Sequence, residues 1–353
     1  MSDVIPGLDR PPGFAVADEI AAKHGAVSGM AISPDGAMLT LTHYGDDSFS
    51  LIDTRSGAVA LTVVDVDESS AVAMSGSRAY VSTVAAEHDS VLAFDTDSNE
   101  IAAEYPLAFS VTDLAVSPNG RQVYAGRTGV NGADVAIIDT KTGKGDSVSI
   151  ASTAGATAGC VRVSPDGRRL YVAVNGAFTA ELVVIDAVQK RVLSTIEIGS
   201  PIRDIALSPN GATAYVGSCG PDFGTVLDVV DVPATRMSIN ATYKFGDVAG
   251  ALAQLTVSRD GERTYLVGDQ SVTVLSTATQ DVIGNIVIDG QPSCAIESPD
   301  GKRLYIADYA GTVTVMEIAA TAPRADARSI DDDPTAPHLW AVPDLLLLQP
   351  TPA

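Results

Sequence analysis

The sequence predicts an all-β protein, a seven-bladed β-propeller in which every blade has four strands. Three observations support this prediction: a repeat with a period in the low forties, a turn of similar composition in each copy, and strand-like runs on both sides of the turn. Such a period with four short strands is typical of a propeller blade. The clearest copy spans residues 160–186, where the runs 161–164 and 170–174 flank a Pro-Asp-Gly turn.

The turn between the first two strands is the element that repeats most clearly. Its proline presets φ at the first central position, and its glycine accepts the positive φ that lets the chain reverse. Five copies read Ser-Pro-Asp-Gly or Ser-Pro-Asn-Gly, the sixth reads Ser-Arg-Asp-Gly, and the second keeps only Ser-Gly. We therefore expect seven hairpins, with the second blade the most degenerate. The turn serines are Ser33, Ser75, Ser117, Ser164, Ser208, Ser258 and Ser298.

The strands after the turn carry a family resemblance. A Tyr-Val strand follows the turn, as at Tyr171-Val172, and a third strand reads Ala-Ile-Ile-Asp-Thr at residues 136–140 or Val-Val-Ile-Asp-Ala at 183–187. These residues resemble the YVTN family of seven-bladed propellers over about residues 14–320. The resemblance implies the propeller fold. It also implies a mixed set of functions, because that family includes surface-layer and periplasmic binding proteins and stands close to lactonases and dehydrogenase subunits.

The ends of the repeat array predict how the ring closes. Residues 14–20 alternate between apolar and polar side chains but belong to no repeat, and the seventh repeat stops after its third strand at 312–318. The N-terminal strand is therefore expected to complete the last blade, which removes an exposed sheet edge. We predict an N-terminal arm at 1–13, the propeller at 14–320 and a Pro-rich C-terminal extension at 321–353.

The C-terminal extension contains an apolar segment. A disordered tail is not expected to carry so much apolar surface. We expect the segment either to pack on its own propeller or to dock a partner. Its apolar residues are Trp340, Leu345, Leu346, Leu347 and Leu348.

Composition limits the partners and the compartment. The formal net charge is −22, from 44 acidic and 22 basic residues. A negative field of this size repels phosphate backbones, so nucleic acid is not an expected partner. No signal-peptide pattern and no long apolar run is present, which predicts a cytoplasmic protein without membrane insertion. The three cysteines have no spacing typical of a disulfide framework or a zinc site.

The first strand of each blade lines the central channel in a propeller, so channel residues can be predicted by position. Asp113 and Asp204 are the two carboxylates of the predicted ring, and Arg162 and Arg203 lie on or beside the same strands. These four residues predict either an internal salt bridge or a polar binding site. The ring consists of the fourth residue before each turn serine: Gly29, Ala71, Asp113, Cys160, Asp204, Gln254 and Cys294.

Loops on the same face supply further candidates for binding. Propeller lactonases and lyases gather such side chains around one divalent ion, and His43 or His88 with Glu87 and Asp308 would suit that role. Their spacing is not diagnostic of a metal site, and we predict no metal site from it. The loop candidates are His43, Glu87, His88, Arg127, Asn175 and Asp308.

No catalytic signature appears in the chain. The sequence contains no Gly-rich nucleotide-binding motif, and its three cysteines have no histidine beside them. We therefore predict a non-enzymatic binding or scaffold module, without a cofactor, that holds a partner protein or small ligand at its loop face and central channel. The alternative is a metal-dependent, lactonase-like hydrolase or lyase at the channel mouth, and only this alternative requires a divalent ion.

Overall fold

The computed structural model describes residues 10–85, 88–108, 110–220, 224–232, 237–246 and 250–320. In these residues the chain forms 28 strands, paired into seven antiparallel sheets of four strands each. The first strand of each sheet contacts the first strands of the neighbouring sheets, and the cycle closes. The seven-bladed β-propeller is thereby confirmed. No helix occurs in the described residues, so none of them forms an apolar helix long enough to cross a membrane.

The strands follow chain order from the inside of each blade to its outside. The N-terminal strand is β1 (Phe14–Ala21). Blade 1 contains β2 (Ala26–Ile32), β3 (Met38–Tyr44), β4 (Ser48–Asp53) and β5 (Ala58–Val64). Blade 2 contains β6 (Val72–Ser75), β7 (Arg78–Val84), β8 (Asp89–Asp95) and β9 (Glu100–Leu107). Blade 3 contains β10 (Ser110–Val116), β11 (Gln122–Gly129), β12 (Gly132–Asp139) and β13 (Gly145–Ala151).

The remaining blades have the same order. Blade 4 contains β14 (Thr157–Val163), β15 (Arg169–Asn175), β16 (Ala180–Asp186) and β17 (Arg191–Ile198). Blade 5 contains β18 (Ile202–Leu207), β19 (Thr213–Gly220), β20 (Gly224–Asp231) and β21 (Ser238–Gly246). Blade 6 contains β22 (Gln254–Val257), β23 (Arg263–Val267), β24 (Val272–Ser276) and β25 (Val282–Ile286). Blade 7 contains β26 (Pro292–Glu297), β27 (Arg303–Asp308), β28 (Thr312–Ile318) and β1.

Antiparallel order places the connections on two opposite faces. The turns between the first and second strands and between the third and fourth strands lie on one side, which we call the lower face. The loops between the second and third strands, and those that lead into the next blade, lie on the upper face.

The serine turn owes its form to side-chain hydrogen bonds. In blade 4 the Ser164 hydroxyl donates to Asp166 Oδ1 at 2.6 Å and accepts the Arg169 N–H at 2.9 Å, while the Gly167 N–H bonds to Ser164 O at 2.8 Å. These bonds close the hairpin without help from outside the turn. The degenerate turn of blade 2 is shorter, because Ser75 pairs directly with Arg78.

The turn glycines also have a role between blades. Gly167 has φ +71°, and a Cβ built there would lie 3.2 Å from Pro118 Cδ of the preceding blade. Glycine is therefore favoured here for two reasons. It leaves room for the neighbouring proline, and it adopts the positive φ without steric cost. Equivalent pairs are Gly36 with Pro299, Gly211 with Pro165 and Gly261 with Pro209, at 3.0 to 3.2 Å.

Packing between blades follows the alternation of each strand. In β15, Leu170 and Val172 pack with blade 3, whereas Tyr171 and Ala173 pack with blade 5. Successive side chains of a strand point to opposite faces of its sheet, so a sheet between two neighbours buries both. This explains why the second strands read as nearly continuous apolar runs, with a fully buried tyrosine in four of them: Tyr124, Tyr171, Tyr265 and Tyr305.

Ring closure occurs as the sequence predicts. β1 pairs antiparallel with β28, with Phe14 opposite Ile318 and Ile20 opposite Val313. Phe14 is buried and its ring meets that of Tyr265 edge-on, with centroids 6.4 Å apart. The N-terminal strand therefore covers the edge of blade 7.

Candidate functional site

The central channel is the cavity on the propeller axis. It has a volume of about 740 Å³ and is lined by residues of the first strands. All seven residues at the fourth position before a turn serine or its equivalent line it, as the repeat alignment predicts. The repeat period therefore identifies which residues face the axis.

Arg162 joins the two channel carboxylates. Its Nη1 lies 2.6 Å from Asp113 Oδ2, and its Nη2 lies 2.5 Å from Asp204 Oδ1. The Arg162 Nε–H donates to Ile205 O at 2.9 Å. One guanidinium thus connects first strands from blades 3, 4 and 5. Of the two arginines predicted for this cluster, Arg162 makes the salt bridges.

The charges of this cluster stabilise one another. Burial opposes a positive charge on Arg162, but Asp204 and Asp113 outweigh that penalty and raise the pKa of its guanidinium. Burial raises the pKa of Asp204, against the opposing effects of Arg162 and two backbone N–H groups. Burial also raises the pKa of the Cys160 thiol well above its ordinary value. A thiol in that state is a poor nucleophile.

Three side chains of the predicted ring bind the backbone of the following blade. Asp113 accepts the Val161 N–H at 2.8 Å, Asp204 accepts the Leu255 N–H at 2.9 Å, and Gln254 accepts the Ala295 N–H at 2.6 Å. Each acceptor occupies the same position in its blade, and each donor is the next position one blade further. These side chains therefore join neighbouring blades around the channel.

A second set of polar side chains lies one residue earlier, at the channel mouth. The pairing of β18 with β19 slips between Ile202 and Asp204, so Arg203 is the extra residue of a β-bulge. Arg203 lines the channel and is exposed, and no described residue forms a salt bridge with it. Sequence reasoning selected Arg203 because it lies beside the ring, but a bulge leaves no sequence signal as clear as the turn.

His43 does not face the channel. It is fully buried in β3, where Nδ1 donates to Gly25 O at 3.3 Å and Nε2 accepts from the Ser50 hydroxyl at 2.8 Å. Burial lowers the pKa of His43, which keeps the ring neutral. Both ring nitrogens are engaged, so His43 is not placed to hold a metal ion. The nearby His24 bonds to Asp46 at 2.7 Å.

The other loop candidates are engaged separately. Arg127 and Asp134 form a two-bonded ion pair, with both N–O distances 2.7 Å. His88 Nε2 lies 3.6 Å from Glu104 Oε1.

Asn175 and Asp308 bind the backbone. Asn175 holds both backbone polar groups of Ile202, donating to its carbonyl at 2.9 Å and accepting its N–H at 2.8 Å. Asp308 is buried and accepts the N–H groups of Ala310 and Thr312.

The described residues that the metal-dependent alternative would use, His43, His88 and Asp308, each contact other groups. Among the residues that the structure describes, no group of three or more His, Cys, Asp or Glu side chains is positioned to hold a metal ion. Glu87 lies outside the described residues, as do Trp340 and Leu345 to Leu348 of the C-terminal extension. Cys160, Cys219 and Cys294 are free thiols.

Exposed apolar side chains mark the upper face, and sequence reasoning missed two of them, Val130 and Phe178. Tyr44, Val130, Phe178 and Tyr309 lie at or in loops between the second and third strands of four blades. Phe178 is 100% exposed and Val130 is 87% exposed. Isolated apolar residues in loops carry no periodic signal, so only their exposure in the fold distinguishes them from core residues.

Comparisons with known proteins agree with this architecture. No family model matches the chain. Among solved structures, Kuenenia stuttgartiensis hydrazine synthase is similar with a TM-score of 0.74 and 20% identity, covering 86% of this chain and 98% of that chain. The Cps50 (Swd1) β-propeller domain of Myceliophteria thermophila has a TM-score of 0.73 and 14% identity, covering 87% and 100%. At these identities the likeness shows the fold alone.

One curated relative is much more similar in sequence. The seven-bladed β-propeller protein Rv1057 of Mycobacterium tuberculosis is 44% identical over 342 residues, which covers 88% of this chain and 86% of that protein. Identity at this level over nearly the whole repeat array places both proteins in one family. This chain therefore belongs to the family of the seven-bladed β-propeller protein Rv1057.

Proposed function

We propose that this protein is a non-enzymatic, YVTN-type binding module that holds a partner protein against its upper face. The observation that carries the proposal is the set of exposed apolar side chains on that face, above all Phe178. The blades do not require these side chains, because they lie beyond the strands or at the strand ends. Exposed aromatic residues in positions that folding does not require are typical of protein interfaces.

Charge on the upper face supports one kind of partner. The connection from blade 1 to blade 2 carries exposed Asp65, Asp67 and Glu68, and the neighbouring loop carries exposed Asp46 and Asp47. Opposite charges across an interface speed association and suppress wrong partners. We therefore propose that the partner presents a basic surface with apolar pockets.

The two faces differ in charge. The lower-face turns carry exposed basic residues that offset their carboxylates: Arg55, Lys141, Lys144, Arg168, Lys190 and Lys302. Net charge alone does not reveal this difference. The acidic upper face is therefore the better match for a basic partner.

The experiment compares two exposed apolar residues of blade 4. Phe178 lies on the upper face, and Val188 lies on the lower face with 75% exposure. Tagged wild type, Phe178→Ser and Val188→Ser would each be incubated with a lysate of the organism that encodes the protein, and bound proteins quantified by mass spectrometry. We expect a basic partner that Phe178→Ser loses at least tenfold and Val188→Ser retains. Equal retention by both variants would contradict an upper-face interface.

We also propose that binding requires no metal ion. The test is a screen of hydrolase and lactonase substrates with and without Mg²⁺, Ca²⁺ and Mn²⁺, alongside the binding assay in chelator. Binding is expected to persist in chelator, and turnover is expected to stay at background. Metal-dependent turnover that is lost on changing Asp113 or Glu87 would replace the binding proposal with the hydrolase or lyase alternative.

A further inference from the structure

Four first strands contain a β-bulge at the same place, and the bulge aims a polar side chain at the channel mouth. Pairing slips on either side of one residue in β2, β10, β18 and β26. All four bulge residues line the channel. Bulges often redirect a side chain beside a functional site. We call these residues the bulge ring: Ser28, Thr112, Arg203 and Ser293.

Arg203 supplies the only charge of the bulge ring. Its guanidinium is exposed to the channel, and no described carboxylate lies within salt-bridge distance. The carboxylates of Asp113 and Asp204 are held by Arg162, so they are already compensated. Asn175 fixes the preceding residue through both backbone polar groups of Ile202. The strand that carries Arg203 is thus held in place before a ligand arrives.

Two hydroxyls of the bulge ring complement this charge. Ser28, on blade 1, lies across the seven-membered ring from blade 5, and Thr112 lies on blade 3 between them. The Ser28 Oγ lies 3.0 Å from the Thr42 hydroxyl and 3.2 Å from Ser70 O, and the Thr112 hydroxyl donates to Gly126 O at 3.1 Å. Both residues line the channel and are exposed. A hydroxyl that donates its proton to a protein acceptor keeps its oxygen lone pairs, so both oxygens can accept hydrogen bonds from a ligand in the channel.

We infer that the bulge ring is a binding site for a small hydroxylated anion, whose carboxylate or phosphate group pairs with Arg203 and whose hydroxyls donate to Ser28 and Thr112. Arginine matches both kinds of oxyanion with two parallel N–H donors. The channel volume of about 740 Å³ lies within the range of small-molecule sites, roughly 300–1,000 Å³. This site lies inside the channel and is separate from the loop tips proposed to bind a partner protein.

The experiment uses three-carbon probes that separate charge from hydroxyl groups. Glycerate carries a carboxylate and two hydroxyls, propionate carries only the carboxylate, and glycerol carries only hydroxyls. Glycerol 3-phosphate replaces the carboxylate with a phosphate ester. Binding would be followed by NMR titration of the wild type, with the Arg203 side-chain Nε–H signal as the local reporter. We expect saturable binding of glycerate or glycerol 3-phosphate, with propionate and glycerol each weaker. The anion that binds with higher affinity shows whether the site prefers a carboxylate or a phosphate group.

Variants test the residue roles, with folding verified by melting temperature. Arg203→Gln should weaken the preferred anion by about tenfold or more, because a charge-assisted hydrogen bond is lost. Arg121→Gln, which removes an exposed cation on the lower face, should leave affinity unchanged. Thr112→Val should reduce the preference for glycerate over propionate.

Three results would overturn the inference. The first is no saturable binding of either hydroxylated anion to the wild type, and the second is equal affinity in Arg203→Gln. The third is glycerol binding as tightly as the anions. Phe178→Ser should keep anion affinity at the wild-type level, so failure of the channel site and failure of the upper-face interface are separately visible.

Discussion

Replacing Arg162 by methionine tests whether the channel salt bridges hold three blades together. The substitution keeps much of the side-chain length but leaves Asp113 and Asp204 without their shared cation. Asp204 is the more sensitive partner, because its side chain is 4% exposed and that of Asp113 is 22% exposed. We expect a folded but clearly less stable propeller.

The expected loss in free energy of unfolding depends on how deeply the ion pair is buried. Removing one partner of a buried ion pair costs about 3–5 kcal/mol. Arg162 itself is 29% exposed, so water replaces part of the interaction and the lower end, about 3 kcal/mol, applies. For a large domain each kcal/mol moves the melting temperature by about 2–4 °C, so the midpoint should fall by roughly 6–12 °C.

The pH dependence gives a second, independent signature. Burial already raises the pKa of Asp204, and loss of Arg162 raises it further. A carboxyl whose pKa is higher in the folded state favours folding most when it is protonated, so its burial penalty appears as pH rises through the folded pKa. The difference from wild type should therefore be largest at neutral pH and shrink toward the unfolded aspartate value, about 3.9.

The assay is thermal unfolding followed by circular dichroism at several pH values. The control is Arg78→Met, which removes an ion pair with Asp95 at 3.1 Å in which Arg78 is 40% exposed. This control should change the midpoint little, since water solvates Arg78 and two backbone N–H groups still bind Asp95 after the substitution. A melting temperature of Arg162→Met equal to wild type, or a deficit that does not shrink in acid, would refute the reasoning.

Further variants test the turns, the ring closure and the buried histidine. Gly211→Ala should cost about 2–3 kcal/mol, because φ is +68° and the new Cβ meets Pro165 at 3.1 Å, whereas Gly76→Ala, at φ +56° in open space, should cost only about 1 kcal/mol of backbone strain. If urea unfolding showed the same loss of unfolding free energy for both variants, the contact between Gly211 and Pro165 would not be a source of stability. Deleting residues 14–21 should expose the edge of β28 and cost several kcal/mol, at about 1.5–3 kcal/mol per buried side chain; a soluble deletion variant with unchanged melting would contradict closure by β1. Because burial lowers the pKa of His43, stability should be full above the unfolded value of about 6.5 and fall as pH drops below it, and His43→Gln should flatten that slope in melting curves.

The repeat alone was sufficient to predict the architecture. Turn chemistry is local, since Ser164, Asp166 and Gly167 form their hydrogen bonds within six residues. A local pattern that recurs at a constant period predicts the number of blades, the four-stranded sheets and the residues facing the channel. The seventh repeat lacks its fourth strand, and the N-terminal run at 14–20 belongs to no repeat. Together they predicted that β1 completes blade 7, because that is where the repeat pattern lacks a strand.

Which side chains meet across blades was decided only by the tertiary structure. The sequence predicted Arg162 and Arg203 for the same cluster, yet the first binds two carboxylates from other blades and the second lies on a bulge facing the channel. His43 follows the pattern of an exposed loop residue but is buried against Gly25 and Ser50. The placement of Arg203 depends on a one-residue slip in strand pairing, and such a slip turns a side chain to the other face of its sheet. Contacts between blades join residues far apart in the chain, as Arg162 joins Asp113 and Asp204 at separations of 49 and 42 positions, where no local propensity acts. The sequence by itself therefore determined the scaffold, and the packed ring determined its channel chemistry.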